Sequence, residues 1–121
     1  MLRLSFDISD ENRGGNCFEV ALHNQMDDHD LWVCHGVVRG QGPLLGIEFP
    51  HAWNEFPDGG FVLDESNGNS IVMPVSDYYA IGGIDPASVR RYDFREVCEE
   101  VLRTGVYGPW DPALDFDYRE I

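Results

Sequence analysis

Leu31-Trp32-Val33-Cys34-His35-Gly36-Val37-Val38-Arg39 is the stretch on which the fold turns. It is dense in β-branched and aromatic residues and ends at Gly40-Gln41-Gly42-Pro43, so it reads as a strand closed by a hairpin turn. Immediately upstream the period is different. Asn16 can serve as an N-cap for a helix over Cys17–Asn24, with Phe18, Ala21 and Leu22 on one face and Asp27-Asp28-His29-Asp30 as the polar turn that follows. Further upstream, Asp10 to Asn16 is a loop by composition, and Leu2–Ile8 alternates apolar and polar residues like a half-buried strand.

Downstream the strand signals continue. Leu44–Phe49 completes the first hairpin, and His51–Phe56 pairs with Phe61–Glu65 across Pro57-Asp58-Gly59-Gly60. Asn54 within this run suggests an exposed or edge-like strand. Ser70–Pro74 is a further short strand, Ser76 can cap a short helix through Tyr79 and Ala80, and Val89–Tyr92 reads as the last strand. Asp93 to Arg103 has the strongest helix pattern: Asp93 as N-cap, Glu96 at the capping-box position and Gly105 as stop. Its expected apolar face is Phe94, Val97, Cys98, Val101 and Leu102. The expected fold is therefore α+β, with an N-terminal helix carrying Cys17, an antiparallel sheet of about five strands and a C-terminal helix.

Residues 1–121 are the length of a single domain, and the acidic tail from about 111 is expected to pack loosely. The hydrophobic fraction of 43 %, with seven Phe, five Tyr and three Trp, is that of a folded chain. Runs such as Phe61-Val62-Leu63 are far too short to span a bilayer, and Met1 to Asp7 carries no signal-peptide core. The expectation is a cytoplasmic protein that does not engage membranes. Twenty-two acidic residues against eight basic ones give a formal charge of −14, and every base is Arg. Such a surface repels phosphate backbones, so no direct nucleic-acid contact is expected. A GC-rich genome or a salt-adapted cytoplasm yields the same composition, as does mimicry of DNA toward a basic protein partner.

Cys17, Cys34 and Cys98 are odd in number and lack zinc-site spacing, as expected of free thiols in a reducing compartment. Cys17 differs in its setting. In Gly15-Asn16-Cys17-Phe18-Glu19-Val20-Ala21 the thiol falls on the first turn of a helix, where unpaired backbone N–H groups and the helix dipole favour a thiolate. The same N–H groups can stabilise an oxyanion. His51-Ala52-Trp53-Asn54-Glu55 follows, with Asp64 thirteen residues after the histidine on the partner strand of a hairpin. A carboxylate there fixes one imidazole nitrogen and leaves the other to face a thiol. Glu65 and Asp58 are alternatives for the acid.

Gly15-x-Cys17-x-x-x-Ala21, His51-Ala52-Trp53-x-Glu55 and Asp64 together resemble the core of the transglutaminase-like branch of the papain-like cysteine enzymes, over about residues 14–66. The resemblance implies Cys17 as nucleophile, His51 as general base and then acid, and Asp64 as orienting carboxylate. It implies acyl transfer from an amide or thioester, in a protein or peptide substrate, with no cofactor. Asn12, Asn16 and the Cys17 N–H are oxyanion candidates, with Gln41 a remote one, and Trp53 is a candidate for the substrate surface.

His23, His29 and His35 recur every six residues beside Asp27, Asp28, Asp30 and Cys34, a spacing that crosses a turn; they read as solvated turn residues, with no metal expected. Cys34 and His35 should face opposite sides of their strand. Cys98 reads as core. Gly36, Gly40, Gly42 and Gly46 form no phosphate loop, since no helix or Lys follows. Tyr78-Tyr79 and Tyr107-Gly108-Pro109-Trp110 are aromatic clusters suited to a cleft, a partner surface or core cover. Two functions follow from the sequence: a cysteine-dependent acyl-transfer enzyme, or a non-enzymatic acidic inhibitor or adaptor, DNA-mimic-like and of the kind phages encode, that binds a basic protein.

Overall fold

The computed structural model of the protein describes residues 16–40, 47–68 and 70–114. The expected strand Leu2–Ile8, the loop with Asn12, the turn with Gln41 and the tail beyond Leu114 lie outside these residues. Within them the order is α1 (Asn16–Asp27), β1 (Trp32–Arg39), β2 (Glu48–Glu55), β3 (Phe61–Asp64), β4 (Ile71–Pro74), α2 (Val75–Gly82), β5 (Arg90–Tyr92) and α3 (Phe94–Thr104). The strands form one antiparallel sheet in the order β4-β3-β2-β1-β5. This is the α+β arrangement expected, with a helix at each end of the described chain.

β1, an interior strand between β2 and β5, feeds two cores. Val33 packs with Cys17, Phe18, Ala21, Leu22, Ala52, Val97 and Trp110 on the side of α1 and α3. Cys34 and Val38 pack with Trp53, Val62, Tyr79, Ile84 and Val89 on the side of α2. Period-two alternation thus divides Cys34 from its neighbour His35, as expected.

α1 is longer than its sequence pattern suggests, running past Asn24 to Asp27. Asn24 and Gln25 look like solvent-facing residues, yet both are buried and bonded. Gln25 Nε2 donates to the carbonyls of Leu31 (2.9 Å) and Tyr92 (3.2 Å), and Asn24 Nδ2 donates to Asn54 Oδ1 (3.1 Å). Asn54 is itself buried, not exposed as expected; its Nδ2 donates to the carbonyls of Ala21 (2.9 Å) and Trp32 (3.1 Å). One amide therefore fastens α1 to β1 and β2 with every group satisfied.

The two runs expected at Leu44–Phe49 and His51–Phe56 are joined in a single β2 that passes through Pro50. Pro50 pairs with Val37 of β1, whereas β3 reaches only Asn54 and Glu55. Proline is tolerated because this half of β2 has no β3 partner among the described residues, so one missing N–H breaks no ladder there. Ser76 does not cap α2: the helix starts after Pro74 without a side-chain cap and closes on Gly83, at a φ of 61° that favours glycine.

α3 is capped as its sequence indicates. Asp93 Oδ1 accepts from the Glu96 N–H at 2.8 Å, Glu96 Oε1 accepts from the Asp93 N–H at 2.9 Å, and Gly105 ends the helix at a φ of 78°. Its expected apolar face is narrower than drawn: Val97 is fully buried, but Leu102 is 86 % exposed. Leu102 lies five residues on, about 140° around the helix from Val97, beyond the stripe that meets the sheet. At the start of the expected loose tail Leu114 is buried and Arg90 Nε donates to Asp111 Oδ2 at 2.8 Å, while Pro112 and Ala113 are exposed.

Replacing Asn54 by Ala would remove its bonds to the Ala21 and Trp32 carbonyls and leave the buried Asn24 amide without its acceptor. The expected loss is about 3 kcal/mol of unfolding free energy in a urea titration, whereas Leu102→Ala should change it by less than about 0.5 kcal/mol.

Candidate active site

His51 lies on the half of β2 that β3 does not cover, and Asp64 is the last residue of β3. The register pairs Asn54 with Leu63, which carries on to place Asp64 opposite Trp53 and diagonal to His51 on the same face. The two side chains meet there: His51 Nε2 and Asp64 Oδ2 are 3.0 Å apart. Of the three carboxylates open to the role, Asp64 is the one in place. Glu65 instead accepts from Ser70 Oγ (3.2 Å), and Asp58 from the Gly60 N–H (3.1 Å) in the hairpin turn.

Asp64 is saturated. Oδ2 also accepts from the Tyr78 hydroxyl at 2.6 Å, while Oδ1 accepts from the Ser66 N–H at 3.0 Å and the Ser66 hydroxyl at 2.7 Å. Four donors occupy both oxygens of a buried carboxylate, the full capacity of the group. Burial alone would push its pKa up, but the bonds and charge of His51, then Tyr78 and Ser66, hold it well below the usual carboxylate range. Tyr78 is driven upward by burial and by Asp64, so it remains a hydroxyl donor.

Cys17 joins the group from the first turn of α1, near enough to His51 to raise the imidazole pKa. Since Nε2 is held by Asp64, Nδ1 is the nitrogen left for the sulfur. Burial pulls the His51 pKa down, but the neighbouring Cys17, then the hydrogen bond and charge of Asp64, outweigh it and leave it raised to about 10. The arrangement thus favours an imidazolium next to the sulfur. Cys17 is 2 % exposed, whereas the His51 side chain keeps 12 % of its surface open. Solvent meets the trio over the imidazole.

Trp53 does not line a substrate surface as expected; it is 1 % exposed. Its ring stacks on His51 with centroids 6.2 Å apart and planes 25° from parallel. It lies over Gly36, where a Cβ would come within 2.9 Å of the indole. Trp53 Nε1 donates to Glu55 Oε2 at 3.0 Å, which also accepts from the Tyr79 hydroxyl (2.5 Å), and Arg91 Nε donates to Glu55 Oε1 at 3.0 Å. A second satisfied carboxylate therefore holds the indole that flanks the imidazole. Cys34 sits near Glu55, and burial followed by that charge raises its pKa well above an ordinary thiol.

Asn16 is the first residue of α1, inside the helix rather than flanking it, and its buried Oδ1 has no partner. The Cys17 backbone N–H lies on the first turn of the same helix, among the groups that have no intrahelical acceptor. Ser66 and Tyr78 are the site residues that sequence reading missed. Asp64-x-Ser66 has the two-residue offset of a side-chain turn and could have marked Ser66; Tyr78 stood out only as part of an aromatic cluster, and its bond to Asp64, fourteen residues away, had no local signal.

The three histidines expected in a solvated turn separate. His29 stacks on Phe94 with centroids 3.7 Å apart, and His23 meets Tyr107 edge-on at 5.9 Å. His35 is fully buried against Phe18, Tyr92 and Trp110, because β1 turns it inward; burial and then the His51 charge lower its pKa to about 3. Among the described residues no three His, Cys, Asp or Glu side chains converge as metal ligands, and no helix is long and apolar enough to cross a membrane. No protein family, curated protein or solved structure matches the chain.

The raised His51 pKa ties the trio to stability. A group whose folded pKa lies above its unfolded value contributes fully below the unfolded pKa, near 6.5, and loses that contribution as pH rises through about 10. Urea midpoints should therefore fall between pH 7 and pH 10, and His51→Gln should flatten that slope.

Proposed function

We propose that the protein is a cysteine-dependent acyl-transfer enzyme of the transglutaminase-like or papain-like kind, acting on an amide or thioester. The observation that carries the reading is the His51–Asp64 pair, with Nε2 on the carboxylate at 3.0 Å, beside a cysteine on the first turn of α1 that raises the imidazole pKa. A nucleophile, a base and a group that orients the base are the minimum for this chemistry.

The Cys17 sulfur adds to the carbonyl carbon as a thiolate, its proton held by His51. The oxyanion forms near the Cys17 N–H at the start of α1. Collapse breaks the bond from carbon to the leaving nitrogen or sulfur, and His51 hands its proton to that group. Water, or an acceptor amine, then attacks the thioester while His51 removes its proton, releasing the acyl product and the thiolate. Asp64 keeps Nε2 protonated throughout, and Tyr78 and Ser66 hold Asp64.

The 2 % exposure of Cys17 favours a second reading, in which the trio is structural and the protein is an acidic inhibitor or adaptor for a basic partner. One experiment separates them. With p-nitrophenyl acetate, the enzyme reading predicts a transient acetyl group on Cys17, found by mass spectrometry after acid quench, and steady turnover. Cys17→Ala should abolish both, His51→Ala should slow acetylation by about 10²–10⁴-fold, and Asp64→Asn should fall between. Equal acetylation of the Cys17→Ala chain would refute the assignment.

A further inference from the structure

The end of β3 remote from Asp64 borders a groove that takes no part in the trio. Its floor is apolar, formed by Phe56, Phe61 and Val72, and its volume is about 590 Å³. Phe61 is 46 % and Val72 57 % exposed, and here exposed apolar side chains share one groove with acidic ones. Val72 belongs to β4, which forms an edge of the sheet. Asp28, Asp30 and Asp58 stand around this floor.

Two of these carboxylates are held in place by backbone donors. Asp28 Oδ1 accepts from the Asp30 N–H and Asp58 Oδ1 from the Gly60 N–H, each at 3.1 Å, which fixes the side chains in their turns. None of the three takes part in an ion pair among the described residues, where Arg39, Arg90, Arg91, Arg95 and Arg103 each pair with another acid. The described part of the chain thus has no uncommitted arginine to set against the groove, and it has no lysine at all.

We infer that this groove docks a polypeptide segment of another protein in which an apolar side chain is flanked by arginine or lysine. Apolar contact with Phe61 and Val72 supplies the anchor, and the three aspartates select the flanking charge. The volume admits a few side chains and not a folded domain. A second copy of this chain is a poor occupant, since two bodies of charge −14 repel; an anionic bilayer is disfavoured for the same reason. The inference needs nothing from Cys17 and stands apart from the catalytic reading.

The test is an amide-resolved NMR titration of the ¹⁵N-labelled full chain with acetyl-Arg-Leu-Phe-Arg-amide, carried to millimolar concentration so that weak binding registers. Shifts should gather at Asp30, Asp58, Phe61 and Val72, and the counterpart acetyl-Glu-Leu-Phe-Glu-amide should produce none. Asp28→Asn with Asp30→Asn and Asp58→Asn keeps the turn acceptors and should weaken binding about tenfold, as should Val72→Arg. A control with Asp77→Asn, Glu99→Gln and Glu100→Gln removes equal charge from α2 and α3 and should cost less than about threefold. Absence of shifts at millimolar peptide, shifts centred elsewhere, or equal loss in the control would overturn the inference. So would groove shifts that change with protein concentration alone, which would assign the surface to a second copy.

Discussion

A carboxylate taken out of water must find donors for both oxygens, and Asp64 finds four. That requirement orders much of the structure around it. Ser66 turns the chain immediately after β3 so that its N–H and hydroxyl cover one oxygen. Tyr78 brings α2 against the sheet to cover the other, beside the imidazole of His51. With Nε2 committed, Nδ1 is the imidazole nitrogen left over on the side chain that Cys17 neighbours. The geometry of the trio is therefore set by the satisfaction of one buried acid rather than by any contact of the cysteine.

Glu55 repeats the device one layer away. Trp53, Tyr79 and Arg91 satisfy it, and it in turn fixes the indole that lies flat beside His51 and over Gly36. Leaving either acid unpartnered in the interior would cost more than each bond returns, so these networks specify a single arrangement of β2, β3, α2 and β5. The different settings of two thiols follow from the same layout. Cys34 faces Glu55 and is discouraged from ionising, whereas Cys17 faces an imidazole held by Asp64.

What could be read from the sequence was what local pattern encodes. The capping box at Asp93 and Glu96, the helix-start position of Cys17 and the alternation that parts Cys34 from His35 each depend on a few neighbouring residues. The pairing of His51 with Asp64 was legible because one short hairpin fixes its register. Long-range polar contacts left no such mark. Asn54, Asn24 and Gln25 look like surface residues until their partners, up to 67 positions away, are known. His35 looks like a turn histidine until β1 turns it into an aromatic cage, and Trp53 looks like a substrate contact until Glu55 claims its N–H. The burial of Leu102 failed for a simpler reason, that the sheet meets only a narrow stripe of α3.

The claim on which the account rests is that His51 activates Cys17. Carbamidomethylation by iodoacetamide between pH 5 and pH 9, resolved by mass spectrometry for each cysteine, tests it most directly. At pH 6 Cys17 should react about tenfold or more faster than the half-buried Cys98, while Cys34, kept protonated by burial and the Glu55 charge, stays inert, and His51→Ala should erase the advantage. A Cys17 that reacts no faster than Cys98 at pH 6, or that keeps its rate without His51, would contradict it.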